Sequence, residues 1–203
     1  MNSSSMLTTA KIASLFACLL FALAPLPADE VSQYTASGEL KFPERYREWV
    51  YLTSGFDMSY SVSMTMNHAH TFDNVLVNPE AYRSFVKTGT WPDHTMLVLE
   101  VREAQGKGSI NQTGNYQAER RAVEVHVKDE ARFPGNWAFF GFKPGETAAG
   151  TTMMPPSADC YSCHAAHAAV DTTFVQFYPT LLPVASAKGT LAASYLREMT
   201  SQK

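Results

Sequence analysis

The chain has 203 residues, of which 45% are hydrophobic and 17% charged, with a net charge of −3. That length points to one domain, and twelve Phe, nine Tyr and three Trp supply enough large apolar side chains for a core, which excludes wholesale disorder. No Lys/Arg run is present, so no nucleic-acid or anionic-membrane surface is expected. Three cysteines are too few for a disulfide scaffold.

The first stretch reads as an address. Residues 1–11 are polar with one cation, Ile12 to Leu23 is almost wholly apolar, and PLPADE follows with small Ala28 as a cleavage point. This is the pattern of a secretory signal. The apolar run is shorter than the roughly 20 residues of a spanning helix, which argues against an anchor. The expectation is a signal peptide over 1–28, a single domain over 29–203 and a periplasmic location. Removing 1–28 also removes Cys18, leaving Cys160 and Cys163 as one close pair.

In chain order, Pro43 to Leu52 predicts a helix, with Pro and Glu44 suiting its start and Tyr46, Trp49 and Val50 on one face. Tyr60 to Met66 alternates as a strand, and Phe72 to Val77 is another. Asn78-Pro79-Glu80 starts a helix that Gly89 ends. Thr95 to Arg102 reads as a central strand. Beyond a glycine-marked loop, Tyr116 to Lys128 is a strand with Val123, Val125 and Val127 on one face and Glu124 and His126 on the other. Trp137 to Phe142 is a further strand, Lys143 to Asp159 a loop, and Cys160 to Val170 and Thr173 to Leu182 short helices, with Pro179 and Pro183 breaking the second. Five strands and few helices predict an α+β fold, an antiparallel sheet packed by helices.

Cys160-Tyr161-Ser162-Cys163-His164 is C-x-x-C-H, the spacing for covalent haem. Two thiols one helical turn apart add to the two vinyl groups of one porphyrin edge, and the adjacent imidazole becomes the proximal iron ligand. A redox dithiol normally follows an early strand, whereas this pair lies late. A zinc site needs four ligands, and no second cysteine pair exists. A plain disulfide stays open as an alternative. The expected cofactor is one haem c held by Cys160, Cys163 and His164, with the motif on a C-terminal helix and His164 on the iron.

No strong sixth ligand stands out, because Met199 is the sole Met after the motif and lies near the chain end. An open axial site binds or transforms small molecules. His68 and His70 read as a polar loop, His167 as a surface or propionate neighbour, and Met153 and Met154 as packing. Glu124 is the candidate proton acceptor if its face meets a haem pocket, though the pattern alone favours the outer surface.

The mature chain resembles the cytochrome P-460 family, which includes the cytochromes c′-β. The matching pieces are Tyr46-Arg47-Glu48-Trp49, Val77-Asn78-Pro79-Glu80-Ala81-Tyr82, Lys87-Thr88-Gly89, Pro92-Asp93-His94-Thr95, Pro134-Gly135-Asn136-Trp137-Ala138-Phe139, the C-x-x-C-H motif and Phe174-Val175-Gln176-Phe177-Tyr178-Pro179. The resemblance implies a sheet-rich homodimer with one c-type haem per chain and five-coordinate iron. Hydroxylamine-oxidising members carry a lysine, in a strand reading like V-K-E, that is attached to the porphyrin. Here that strand reads Val98-Leu99-Glu100, so Leu99 stands at the lysine position, and Lys107 lies in the loop beyond. That favours the branch binding nitric oxide or carbon monoxide in an apolar pocket, whose distal phenylalanines correspond to Phe56 or Phe72. Glu124 pulls the other way, since it matches the distal carboxylate with which oxidising members deprotonate substrate.

Three readings follow. The first is a gas-binding periplasmic cytochrome. The second is an oxidoreductase acting on hydroxylamine or a related nitrogen compound, with Glu124 as catalytic proton acceptor. The third is an electron carrier with two strong axial ligands. Expected partners are the small ligand, a soluble c-type cytochrome for electrons and a second copy of the chain.

Overall fold

The computed structural model describes residues 34–59, 69–146 and 159–201. The expected signal peptide, the Tyr60–Met66 strand, His68, Met153 and Met154 lie outside the described residues.

Within the described residues one antiparallel sheet runs in sequence order, β1 (Val50–Phe56), β2 (Thr71–Val77), β3 (Met96–Gln105), β4 (Tyr116–Lys128) and β5 (Trp137–Phe142). Four helices accompany it: α1 (Pro79–Thr88), α2 (Asp159–His167), α3 (Leu182–Lys188) and α4 (Ala193–Ser201). The α+β expectation of a sheet packed by helices holds, and β3 is central as its apolar run predicts. Residues 160–164 lie on α2, but two further helices follow it, so this is not the last helix of the chain.

Period-two alternation gives the sheet two faces. On one, Val98, Val123, Val125, Val127, Phe140 and Phe142 pack with Leu40, Phe42, Tyr46 and Trp49. On the other, Leu52, Val77, Leu97 and Trp137 meet Phe85, Trp91, Val170, Val175, Tyr178 and Leu181. Each face is thus buried, one by the N-terminal segment and the other by α1, α3 and the chain after α2. Glu100 belongs to the first face. It is buried among Tyr46, whose hydroxyl donates to it, Arg47 at 2.5 Å and Arg102 at 2.6 Å. Burial pushes its pKa up, but the hydrogen bonds from Tyr46 and Arg102 and the two arginine charges outweigh that and hold it below the usual range.

The helix expected over Pro43 to Leu52 is only a 3-10 turn, Tyr46–Glu48, and Val50 to Leu52 belongs to β1. Val50, Tyr51 and Thr53 are β-branched or aromatic, and pairing with β2 in the register Val50↔Val77 to Phe56↔Phe72 satisfies the backbone groups on the side that faces β2. The helix over Thr173 to Leu182 likewise reduces to a 3-10 turn, Val175–Phe177. Pro183 sits in the first turn of α3, where a missing N–H costs nothing, instead of ending a helix. α2 stops at His167, short of Val170, and α4 has no counterpart in the sequence reading.

α1 begins and ends where Pro79 and Gly89 place it, and Gly89 takes the left-handed φ of 78° that favours glycine. Asn78 does not cap with its side chain. It accepts from the Met96 N–H at 2.8 Å and so straps the helix start to β3.

Trp91 joins this face to the chain near the motif. Its ring centroid lies 4.3 Å from that of Phe85, its Nε1–H donates to Thr173 Oγ1 at 2.7 Å, and its carbonyl accepts from Lys128 Nζ at 2.8 Å. Trp91→Ala is expected to cost about 3–5 kcal/mol by emptying a buried aromatic site, read as a lower urea midpoint in equilibrium unfolding.

Candidate functional site

Three rows of side chains cross the second sheet face. Pairing brings Thr53, Val75, Leu99 and Glu124 into one row, Gly55, Asp73 and Val101 into another, and Leu97, His126 and Phe139 into a third. These rows line one side of a cavity of about 520 Å³, a size typical of cofactor sites. The other side carries Cys160, Cys163 and His164 from α2, and Phe174, Phe177 and Tyr178 from the segment after it.

The structure therefore brings Glu124, Cys160, Cys163 and His164 together around one cavity. Cys160 and Cys163 sit one helical turn apart on α2 and are not joined in a disulfide. The His164 ring lies between Phe139, at 4.7 Å centroid to centroid, and Phe174, at 4.1 Å. Its Nδ1 is 2.7 Å from the Thr172 carbonyl oxygen. A carbonyl can only accept, so Nδ1 carries the proton and Nε2 keeps its lone pair for a metal. Burial lowers the His164 pKa, partly opposed by that carbonyl, which favours the neutral ligand form.

Thr172 has a second bond. Its Oγ1 is 3.1 Å from Nε2 of His126, which is buried on β4, stacked on Phe139 at 4.0 Å and tilted against Trp137 at 4.4 Å. Burial drives the His126 pKa well below the ordinary value, with nearby His164 adding to the effect, so this imidazole is neutral too.

Glu124 is solvent-accessible, as its strand pattern predicts, but the surface it reaches is the cavity. β4 is flanked by β3 and β5, and its polar face is turned toward α2 and the chain beyond, so the carboxyl lines the cavity. Glu124 stands opposite Leu99 in the β3–β4 register. Desolvation raises its pKa first, and the Asp73 carboxylate raises it further. Asp73 is itself raised by desolvation and by Asp57. Sequence reasoning missed Asp73, although its spacing from Val75 and Val77 in β2 puts all three on one face.

Leu99, at the position of the family lysine, lines the cavity, and no lysine does so among the described residues. Lys107 sits in the β3–β4 loop, where its carbonyl accepts from the Tyr116 hydroxyl at 3.0 Å. Phe56 and Phe72 contact each other at 5.0 Å and are not part of the cavity wall, whose aromatic side chains are Phe139, Phe174, Phe177 and Tyr178. His70 pairs with Asp57 and stacks on Phe56 at 5.7 Å. His167 meets Glu198 at 3.2 Å on the surface, as its surface reading predicts.

The donor set suits a haem. An apolar wall of Val75, Leu97, Leu99, Val101, Phe139 and Phe174 faces a helix that presents two thiols and an imidazole with Nε2 available. The sequence model of a haem-protein family matches residues 43–175, so the class is a haem-binding cytochrome. That family is Cytochrome P460, and the chain belongs to it. No match is found among curated proteins.

The raised pKa of Glu124 has a stability consequence. A carboxyl raised in the folded state contributes stability below its unfolded pKa, about 4.3, and loses it as pH rises through the folded value. Glu124→Gln is therefore expected to raise the melting temperature at pH 7, with the gain vanishing below about pH 4. Thermal melts of both proteins across that range check it.

Proposed function

We propose that the chain is an exported, periplasmic mono-haem c-type cytochrome whose five-coordinate iron binds nitric oxide or a similar small ligand. Cys160 and Cys163 would hold the porphyrin through two thioethers, and His164 would supply the proximal nitrogen. Haem bound there would supply a redox-active iron able to take a small ligand. The observation that carries this reading is the His164 hydrogen bond to the Thr172 carbonyl, which leaves Nε2 of the motif histidine available beside an otherwise mostly apolar cavity. Leu99 supports the absence of a lysine cross-link, because its side chain has no nucleophilic atom.

A second reading is favoured by Glu124 and Asp73. Two carboxyls with raised pKa on a cavity wall suit removal of a proton from an N–H or O–H group. In that reading the protein oxidises hydroxylamine or a related nitrogen compound, Glu124 takes the proton and a soluble c-type cytochrome takes the electrons. Homodimerisation belongs to both readings as a proposal from the family resemblance.

Ligand titration of the purified haem protein separates the two. The first reading expects the ferrous protein to bind nitric oxide or carbon monoxide, with no acceptor-dependent turnover of hydroxylamine. The second expects turnover that Glu124→Gln lowers by about 10²-fold or more, the usual worth of a positioned base. A low-spin ferric spectrum insensitive to added ligands would contradict both, and Met58 on the cavity wall would then be the first residue to replace.

A further inference from the structure

The cavity wall includes a buried imidazole that the proposed chemistry does not use. His126 projects from β4 into the cavity wall among aromatic side chains, stacked on Phe139 and tilted against Trp137. A phenylalanine would fill such a place without the cost of burying a polar ring. What the imidazole has that a phenylalanine lacks is Nε2, and Nε2 is bonded to Thr172 Oγ1 at 3.1 Å.

Thr172 is where two constraints meet. Its carbonyl oxygen holds the Nδ1–H of His164 at 2.7 Å, while its hydroxyl is tied to β4 through His126. The preceding residue, Asp171, has a φ of 52°, a left-handed conformation uncommon for a non-glycine residue. The turn around it is closed by the Val170↔Thr173 bridge, with Thr173 N donating to the Val170 carbonyl at 2.9 Å. Trp91 clamps its far side by donating to Thr173 Oγ1 at 2.7 Å. The turn is thus fastened at Thr173 by Trp91 and at Thr172 by His126, and the Thr172 carbonyl between those points is aimed at His164.

We infer that His126 is a positioning residue for His164, acting through the Thr172 hydroxyl to fix the carbonyl that accepts the Nδ1–H bond. This rests on the reading that His164 is the proximal ligand. A ligating imidazole whose second nitrogen donates a well-aligned hydrogen bond is more electron-rich, and such outer bonds tune the metal. Loosening the carbonyl weakens that bond, makes His164 a poorer donor and favours the ferrous state.

The test compares Thr172→Val, Thr172→Ser and His126→Phe with the parent in the haem-loaded protein. The readouts are the iron–histidine stretch in the ferrous resonance Raman spectrum and the midpoint potential. Thr172→Val keeps the β-branched shape and removes only the hydroxyl, and His126→Phe keeps the stack on Phe139. Both are expected to lower the stretching frequency and raise the potential, whereas Thr172→Ser, with its hydroxyl, stays at the parent values. Parent-like frequency and potential in Thr172→Val and His126→Phe would overturn the inference, as would a shift in Thr172→Ser as large as that in Thr172→Val. Parent protein that carries haem but shows no iron–histidine band would instead overturn the ligand assignment, and the inference with it.

Discussion

The hydrogen bond from the His164 imidazole to the Thr172 carbonyl is the contact on which this site depends. It settles which nitrogen carries the proton, and so which nitrogen can bind a metal. The aromatic rings of Phe139 and Phe174 on either side restrict rotation about the side-chain bonds. Much of the surrounding structure serves that alignment. β5 supplies Phe139, the 3-10 turn after α2 is preceded by Phe174, and Trp91 secures the tight turn that carries Thr172.

The opposite wall of the cavity has a different character. Glu124 and Asp73 are ionisable groups on a sheet face that otherwise reads as core, and each is less easily ionised there than in water. Like charges on one face of a sheet repel, and nothing in the cavity wall among the described residues is a lysine or arginine to compensate them. Glu100 is the internal contrast. It is adjacent in sequence to Leu99 but on the other face, where Tyr46, Arg47 and Arg102 satisfy it and hold it ionised. A carboxylate that stabilises the sheet is paired, whereas of the two that face the cavity Glu124 is raised by burial and by Asp73, and Asp73 by burial and by Asp57. That difference is what marks Glu124 and Asp73 as chemical candidates within a Cytochrome P460 family member.

Much of this architecture is legible from residue patterns. The alternation in Tyr116 to Lys128 and the apolar run Trp137 to Phe142 after the Pro134-Gly135-Asn136 turn mark β4 and β5 to the residue, and Pro79 and Gly89 bound α1. The C-x-x-C-H spacing points at α2 without any tertiary information. Other features depend on contacts that no local pattern carries. Tyr46, Trp49 and Val50 have helical spacing, yet pairing of Val50 with Val77 across the sheet wins over it. Whether the polar face of β4 meets solvent or a cavity depends on what packs above it, so Glu124 could not be assigned from its own strand. Thr172 acts through a backbone carbonyl, which every residue type possesses, and sequence holds no signal for that role.

The central claim is that a porphyrin is joined to Cys160 and Cys163 and to no other side chain. Mass spectrometry of proteolytic peptides from protein produced in a host with haem-ligation machinery measures this directly. The account predicts one haem on the peptide containing residues 160–164, attached through two thioethers. A haem-free peptide with Cys160 joined to Cys163, or a haem also linked to a lysine peptide, would contradict it.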